Sequence, residues 1–187
     1  MNSLIFSISV SLDGYIADRE GGFAWSVPSD ELFEFHLDRV RELGGCLLGR
    51  KLYATMLAWE TDPSLRVTEL DTAFAEAWST LPKVVFSRTL DRVEGNARLA
   101  TASLAAEVAG ALAATDKDVE IGGAELAAAA FTADLIDELR LFRCPVIVGG
   151  GTPALPSLTE ALPLELIETR TFNARVIYER YRRVRER

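Results

Sequence analysis

The sequence predicts an α/β domain built on a mostly parallel sheet. Short apolar segments that fit buried strands alternate along the chain with segments whose apolar residues recur at helical spacing. Strands that alternate with helices are typical of a parallel sheet. Near the C-terminus two strand-like segments, 164–172 and 174–184, follow one another across Asn173. They predict an antiparallel hairpin that is added to the parallel sheet.

The first long helix is the best-marked element of the N-terminal half. Ser29 is a suitable N-cap, and the carboxylates of Asp30 and Glu31 favour a helix N-terminus. Apolar residues at helical spacing extend this helix to about Leu43, and Gly44-Gly45 are expected to end it. The other elements expected in this half are a strand at 3–10, a turn or bulge at 11–14, an extended segment at 15–17, a glycine-bearing loop at 18–28, a strand at 46–49, a short helix at 51–58, a loop at 60–65 and a helix at 67–79.

The C-terminal half continues the alternation. Residues 137–148 predict a long strand, in which Pro145 needs an edge position or a bulge because proline cannot donate a backbone hydrogen bond. No internal repeat, low-complexity tract or linker divides the chain, so one domain over 1–187 is expected. The remaining elements are strands at 83–87, near 97–101 and at 118–121, helices at 103–114 and 123–131, and a loop that begins at Gly149-Gly150-Gly151.

Charge and composition exclude several classes of protein. The formal net charge is −8, which argues against general binding to nucleic acid or to anionic membranes. The N-terminus lacks the pattern of a signal peptide, and no apolar stretch is long enough to span a membrane. Cys46 and Cys144 lie in apolar segments and are expected to be buried free thiols. A cytoplasmic protein is therefore expected.

Three junctions between a strand and a following turn indicate a ligand. They lie at Leu47–Lys51, Lys83–Arg88 and Val119–Leu126. Where such a junction begins a helix, it presents free backbone N–H groups that suit a phosphate. Three junctions in one domain predict one extended anionic ligand, such as a dinucleotide. Each junction taken singly also fits an ordinary turn.

The order of these segments resembles the dihydrofolate reductase superfamily. It is most similar to the branch that includes the reductase half of bifunctional riboflavin-biosynthesis enzymes, and the resemblance covers nearly the whole chain. The resemblance implies a dihydrofolate reductase-like three-layer sandwich that binds NADPH. The matching segments are Ser-Leu-Asp-Gly-Tyr-Ile-Ala at 11–17, Leu-Gly-Arg-Lys at 48–51, Val-Phe-Ser-Arg at 85–88 and Ile-Gly-Gly-Ala-Glu-Leu at 121–126.

The resemblance also implies where NADPH would lie. One departure from the family is Leu52, where many relatives have a threonine; Thr55 is a candidate replacement for its hydroxyl. The implied contacts are Gly49, Arg50 and Lys51 with the phosphates, Ser87 and Arg88 with the adenosine 2′-phosphate, Gly122, Gly123, Ala124, Glu125 and Leu126 with the pyrophosphate, and the backbone of Ile16 and Ala17 with the nicotinamide.

The substrate side of the site is less sharply marked. The segment from Trp25 to Asp30 resembles the family's tryptophan–x–x–proline–x–acid segment, so Asp30 is the predicted catalytic acid. Asp30 also suits a plain helix start, and Glu31 competes for the role. Ser11, Asp13 and Trp25 are predicted substrate contacts, although an aspartate before glycine is also a routine turn residue and Trp25 also suits a hydrophobic staple.

The function implied is an NADPH-dependent reductase of a pyrimidine- or pteridine-like substrate. The family resemblance favours the type that reduces 5-amino-6-(5-phosphoribosylamino)uracil in riboflavin biosynthesis. The alternatives are dihydrofolate reductase activity and a non-catalytic NADPH-binding module. The single histidine, His36, fits a surface or partly packed position, and with two cysteines it cannot supply a zinc deaminase site. No metal site is expected.

A homodimer is the expected assembly. The segment 137–148 and the hairpin at 164–184 are rich in apolar and β-branched residues and are expected to form the antiparallel edge of the sheet. Relatives in this branch are commonly dimers. The alternative is a monomer in which Pro145 and the arginines at 180–187 protect that edge.

Overall fold

The computed structural model describes residues 2–173 and 175–185, and its elements alternate as the sequence predicts. The strands are β1 (Leu4–Ser11), β2 (Tyr15–Ala17), β3 (Leu43–Gly49), β4 (Lys83–Phe86), β5 (Ala97–Leu99), β6 (Asp118–Gly122), β7 (Glu138–Cys144), β8 (Thr152–Pro153), β9 (Leu164–Phe172) and β10 (Val176–Arg183). The α-helices are α1 (Asp30–Glu42), α2 (Arg50–Thr61), α3 (Glu69–Thr80), α4 (Leu104–Ala113) and α5 (Ala124–Thr132).

Eight of these strands form one sheet in the order β5-β4-β3-β6-β1-β7-β10-β9. The first six in this order are parallel to their neighbours. The last two pair antiparallel, β10 with β7 and β9 with β10. The predicted α/β class, with a mostly parallel sheet and a C-terminal antiparallel hairpin, is confirmed. Residue 174, the predicted start of the second hairpin strand, lies outside the described residues.

Helices cover both faces of the sheet, as a three-layer arrangement requires. One core contains buried side chains of α4 and α5, such as Val108 and Phe131, packed with Phe6 and Ile121 of the sheet. The other lies beneath α1, α2 and α3 and includes Ile5 on the opposite face of β1. Because β-strand side chains alternate between faces, Ile5 and Phe6 reach different cores. Because the first six strands of the sheet order run parallel, their carboxyl ends lie at one edge of the sheet, and the loops that follow them meet there.

The helix α1 begins as predicted but does not end at a glycine turn. The Ser29 hydroxyl accepts the N–H of Leu32 at 3.4 Å, which confirms the N-cap. The helix ends at Glu42, and Gly44-Gly45 lie inside β3, so the prediction that they end the helix is wrong. A Cβ on Gly44 would overlap the side chain of Thr115. These glycines allow close packing of the strand and do not adopt a left-handed cap.

The predicted strand at 137–148 is too long. The strand β7 stops at Cys144, and Pro145 follows its end, so the edge position or bulge expected for Pro145 is wrong. A central strand needs N–H donors on both sides, and β7 lies between β1 and β10. The expectation that this segment forms the sheet edge is wrong as well, because the outer antiparallel strand is β9.

Other differences are small. The helix α2 runs to Thr61 and includes residues expected in a loop, and β8 pairs with β2 in a second, two-stranded sheet that the sequence did not predict. Cys46 and Cys144 are buried and free, as predicted. Among the residues that the structure describes, no helix is both long and apolar enough to cross a membrane.

Candidate functional site

Two helices begin side by side at the carboxyl edge of the sheet. The helix α2 starts directly after β3, and α5 starts after β6, the parallel neighbour of β3. Their first turns are in contact, because a Cβ built on Gly123 would lie 3.4 Å from the backbone N and Cα of Gly49. The two glycines therefore let the two helix starts approach each other closely.

These two helix starts differ from the other three in their capping. The helices α1, α3 and α4 each have a hydroxyl cap, from Ser29, Thr68 and Ser103. At Gly49 and Gly123 no side chain among the described residues caps the helix. The first N–H groups of a helix have no partner within it, and the helix dipole adds positive potential there. The paired starts of α2 and α5 therefore present backbone N–H groups in an arrangement that suits an anion.

The glycine pair at the start of α5 is required by local geometry. Gly123 has φ +101°, a conformation that side-chain-bearing residues rarely adopt. A Cβ on Gly122 would overlap the side chain of Leu52, so this leucine packs against the turn. The hydroxyl of Thr55 donates to the carbonyl of Lys51 at 3.2 Å, which engages its proton inside α2. Leu52 therefore supports the turn by packing.

Basic side chains surround this backbone surface. Arg50 and Lys51 lie in the first turn of α2, and Ser87-Arg88 follow β4, the neighbour of β3. Within residues 2–173 and 175–185, none of these three basic side chains forms an ion pair. The Ser87 hydroxyl accepts the N–H groups of Thr89 and Leu90 at 3.1 and 3.0 Å, so it also shapes the turn that presents Arg88.

The structure brings the predicted cofactor residues to one edge of the sheet. Ala124, Glu125 and Leu126 form the first turn of α5, and Glu125 is exposed. Its carboxylate favours the helix dipole but would repel a nearby phosphate. Ile16 and Ala17 lie on β2, which follows the carboxyl end of β1. The predicted contacts thus lie at the ends of three neighbouring sheet strands, β4, β3 and β6, and on the segment β2.

Ser11 and Asp13 make contacts within the protein. The Ser11 hydroxyl donates to the Asp13 carboxylate at 2.7 Å and accepts the N–H of Tyr15 at 2.9 Å. The same carboxylate accepts the N–H groups of Val148 and Gly149 at 3.1 and 2.8 Å. The Ser11 hydrogen bond, joined by those of the two amides, lowers the pKa of Asp13 below its ordinary value. Asp13 therefore ties the turn after β1 to the loop after β7.

Asp30 and Glu31 separate into different roles. The Glu31 carboxylate accepts from Arg170 and from the backbone N–H of Asn173, both at 3.1 Å, so it fastens α1 to the C-terminal hairpin. Asp30 is exposed, and its side chain has no hydrogen-bond partner in the described part of the chain. The sequence left open whether Asp30 or Glu31 is the acid on the substrate side. Glu31 is engaged in contacts with the hairpin, whereas Asp30 has no such contact among the described residues, so Asp30 remains the candidate.

Trp25 and His36 complete the residues singled out by sequence. Trp25 lies in a 3-10 turn at Ala24–Ser26 that contacts β1, and its buried indole N–H has no partner among the residues described. His36 packs with its ring centroid 4.5 Å from that of Phe142, and desolvation lowers its pKa to about 4. His36 is thus a neutral packing residue of α1, in agreement with the partly packed position expected.

A groove of about 620 Å³ lies away from this edge. Its lining includes Arg41, Gly44, Pro82 and Lys117, which lie near the beginnings of β3, β4 and β6. It contains none of the predicted site residues. The paired helix starts at the opposite ends of these strands are the better candidate, because among the described residues they combine uncapped N–H donors with basic side chains that form no ion pair.

Sequence reasoning predicted the loop that begins at Gly149 but missed its contact with the segment around β2. Gly149, Gly150 and Gly151 all have positive φ, and Arg19 donates to the carbonyl of Gly149 at 2.7 Å. Three consecutive glycines signal such a loop, but the sequence does not show which segment the loop contacts. The structure shows that it packs against the segment from Asp13 to Arg19.

The chain is similar to known proteins over nearly its whole length. Residues 2–178 match the model of the RibD C-terminal domain family. The chain is 28% identical over 181 residues to the uncharacterized protein YyaP of Bacillus subtilis (strain 168), a match that covers 93% of this chain and 91% of that protein.

Solved structures share the fold over nearly the whole chain. A protein of Shewanella sp. PV-4 assigned to riboflavin biosynthesis has a TM-score of 0.79 at 26% identity, with coverage of 98% of this chain and 99% of that one. A diaminohydroxyphosphoribosylaminopyrimidine deaminase/5-amino-6-(5-phosphoribosylamino)uracil reductase of Thermotoga maritima has a TM-score of 0.69 at 17% identity, with coverage of 98% and 57%. The predicted resemblance to the reductase branch of riboflavin biosynthesis is confirmed, and the chain belongs to the RibD C-terminal domain family.

Proposed function

We propose that this protein is an NADPH-dependent reductase of a pyrimidine- or pteridine-like heterocycle, similar to the 5-amino-6-(5-phosphoribosylamino)uracil reductases. The observation that carries this proposal is the pair of helix starts at Gly49 and Gly123, which are in contact and lack side-chain caps among the described residues. Open N–H groups from two helices suit the two phosphates of a pyrophosphate.

The residues around this surface fit the rest of the cofactor. The glycine turns leave room for a pyrophosphate at the helix starts, and Arg50 and Lys51 add positive charge. Ser87 and Arg88, one strand further, would contact the 2′-phosphate. Bound NADPH would supply the hydride. The protein would orient the nicotinamide through the backbone of Ile16 and Ala17 and exclude water around it.

Asp30 is the proposed proton donor on the substrate side. It is exposed at the start of α1 and has no partner in the described chain, so its carboxyl is open to a bound substrate. Trp25, whose indole N–H has no partner within the described residues, would lie over the substrate. A phosphate on the substrate would need basic groups, and Arg19 is already bonded to the carbonyl of Gly149. Phosphorylated and unphosphorylated substrates should therefore be compared directly.

The test is NADPH oxidation against a panel of pterins, folates and ribosylaminopyrimidines, each of the last with and without phosphate. Turnover of a ribosylaminopyrimidine supports the riboflavin-type reductase, whereas turnover of dihydrofolate alone supports dihydrofolate reductase activity. Tight binding of NADPH without turnover of any compound supports a non-catalytic NADPH-binding module. Absence of NADPH binding would contradict all three.

Arg88 is expected to give a preference for NADPH over NADH. A charge-assisted contact with the 2′-phosphate contributes about 1.5–3 kcal/mol, so Arg88→Ala should weaken NADPH binding by roughly ten- to a hundredfold. NADH, which lacks that phosphate, should bind the variant and the wild type equally. The dissociation constants of both cofactors, measured by calorimetry, check this. Arg92→Ala removes the same charge from a nearby exposed position and is the control.

Two outcomes would contradict the predicted preference for NADPH over NADH. Equal affinity of the wild type for NADPH and NADH would show that no group at Ser87-Arg88 recognises the 2′-phosphate. A loss of NADPH affinity in Arg92→Ala as large as that in Arg88→Ala would show a general charge effect.

We further propose a homodimer that uses the C-terminal strands. In the described chain the outer edge of β9 pairs with no strand, and Leu164 and Leu166 on it are 38% and 54% exposed. Unpaired edges with apolar side chains favour association. Light scattering at micromolar concentration should give twice the chain mass, and a mass near 20.5 kDa would refute the dimer. Residues 186 and 187 of the arginine-rich end lie outside the described residues.

A further inference from the structure

The loop after β7 forms hydrogen bonds with the segment that contains the proposed nicotinamide contacts, from Asp13 before β2 to Arg19 after it. The strands β2 and β8 pair, with Tyr15 opposite Pro153 and Ala17 opposite Thr152. The N–H of Ala154 donates to the carbonyl of Gly14 at 2.9 Å. The backbone of Ile16 and Ala17 therefore has its position set by a partner strand of only two residues.

Two side chains also connect the loop to the chain on either side of β2. The Asp13 carboxylate receives the N–H groups of Val148 and Gly149 before β2 begins. The Arg19 guanidinium donates to the carbonyl of Gly149 after β2 ends. The loop is thus held to the chain on either side of Ile16 and Ala17.

Glycine is required where the two segments touch. Gly151 has φ +132°, and a Cβ on it would overlap the carbonyl oxygen of Ala17. Gly149 also has positive φ, +75°, but a Cβ there would have no atom within 4 Å. The two glycines share a backbone conformation that favours glycine, and only Gly151 lies against β2.

We infer that Gly151 and Asp13 are positioning residues that set the place of the Ile16 and Ala17 backbone against the nicotinamide ring. This inference rests on the proposed NADPH site. Gly151 acts by its lack of a side chain, which lets β2 lie close to the loop. Asp13 acts by holding the loop through two N–H groups. Neither residue needs to touch the pyrophosphate end of the cofactor.

The test compares two ligands that differ only at the nicotinamide end. These are NADPH and 2′-phosphoadenosine diphosphoribose, which keeps the phosphates and lacks the ring. Gly151→Ala should weaken NADPH binding by about tenfold, which is the effect of losing one hydrogen bond. The affinity for the analogue should not change. Gly149→Ala is the matched control and should leave both affinities unchanged, because its methyl group meets open space.

Asp13→Asn keeps the test decisive if Gly151→Ala does not fold. The amide nitrogen of the asparagine would face a backbone N–H. The variant therefore weakens the hydrogen bonds between residue 13 and the loop while the side chain keeps its size. The affinity for NADPH should fall, and the affinity for the analogue should stay the same. Unchanged NADPH affinity in the folded variants, or equal losses for both ligands, would overturn the inference. A wild type that binds both ligands equally would also overturn it and leave the pyrophosphate site intact. A wild type that binds neither ligand would overturn the proposed function itself.

Discussion

Gly123→Val is expected to abolish NADPH binding and to leave a folded protein. The Cβ of the new side chain would lie 3.4 Å from the backbone of Gly49, and its two methyl groups would occupy the space between the two helix starts. The N–H groups of α2 and α5 would then be unable to reach a pyrophosphate together. Calorimetric titration of NADPH into a variant with a normal circular dichroism spectrum measures the effect.

Backbone strain must be separated from this loss of binding. At φ +101° a valine costs on the order of 1–3 kcal/mol, which a domain of ordinary stability tolerates. Gly21→Val is the matched control, because Gly21 has φ +84° and open space around its Cβ position. The control should keep its affinity for NADPH. Wild-type affinity in folded Gly123→Val would show that the turn has only a structural role.

The parts of the fold that depend on local pattern were predictable. A buried strand, a glycine and an amphipathic helix follow one another at Gly49 and at Gly123, and each signal is contained in about ten residues. Parallel strands bring the ends of successive units to one edge, so the shared location of these turns followed from the class of fold. The difference between helices with a hydroxyl N-cap and those that begin after glycine could be predicted in part, since Ser29 could be identified as a cap from sequence.

Features decided by distant partners were not predictable. Gly44-Gly45 follow a helix and resemble a cap, and only the packing of Thr115 against Gly44 shows why glycine is needed within β3. Pro145 could be placed only once β7 was known to lie between β1 and β10. The hydrogen bond from Val148 to Asp13 joins residues 135 positions apart, and no local pattern reports it.

A buried ion pair near the opposite end of the sheet was also hidden from the sequence. The Lys83 ammonium lies 3.0 Å from the Glu60 carboxylate and donates to the carbonyls of Trp78 and Leu81 at 2.6 and 2.8 Å. Lysine is rarely buried, and no local pattern marks Lys83 as an exception. Glu60 was expected in a loop, whereas the longer helix α2 carries it to Lys83.

The substrate side of the site shows what the structure adds to a family resemblance. From sequence, Asp30 was the predicted acid at the start of α1, and Glu31 competed with it for the role. The contacts of Glu31 with Arg170 and Asn173 give it a structural role, whereas the Asp30 carboxyl has no partner in the part of the chain that the structure describes. Hydride transfer to a heterocycle leaves a nitrogen or carbon that needs a proton, and Asp30 is the group proposed to supply it.

Asp30→Asn is therefore expected to lower kcat by roughly a hundredfold or more, the usual contribution of a general acid. The dissociation constant of NADPH should not change, because Asp30 belongs to α1 and the cofactor surface to α2 and α5. The measurement is kcat for the substrate found in the panel, with calorimetry of NADPH alongside.

Glu34→Gln is the control for this variant, because Glu34 is exposed one turn later on the same helix and carries the same charge. It should keep its kcat. If Asp30 only favours the helix dipole, both variants will keep their turnover, and Asp30→Asn will lose only about 0.3–1 kcal/mol of stability. A fall in kcat confined to Asp30→Asn, with NADPH affinity and folding unchanged, is the result that a purely structural aspartate cannot produce.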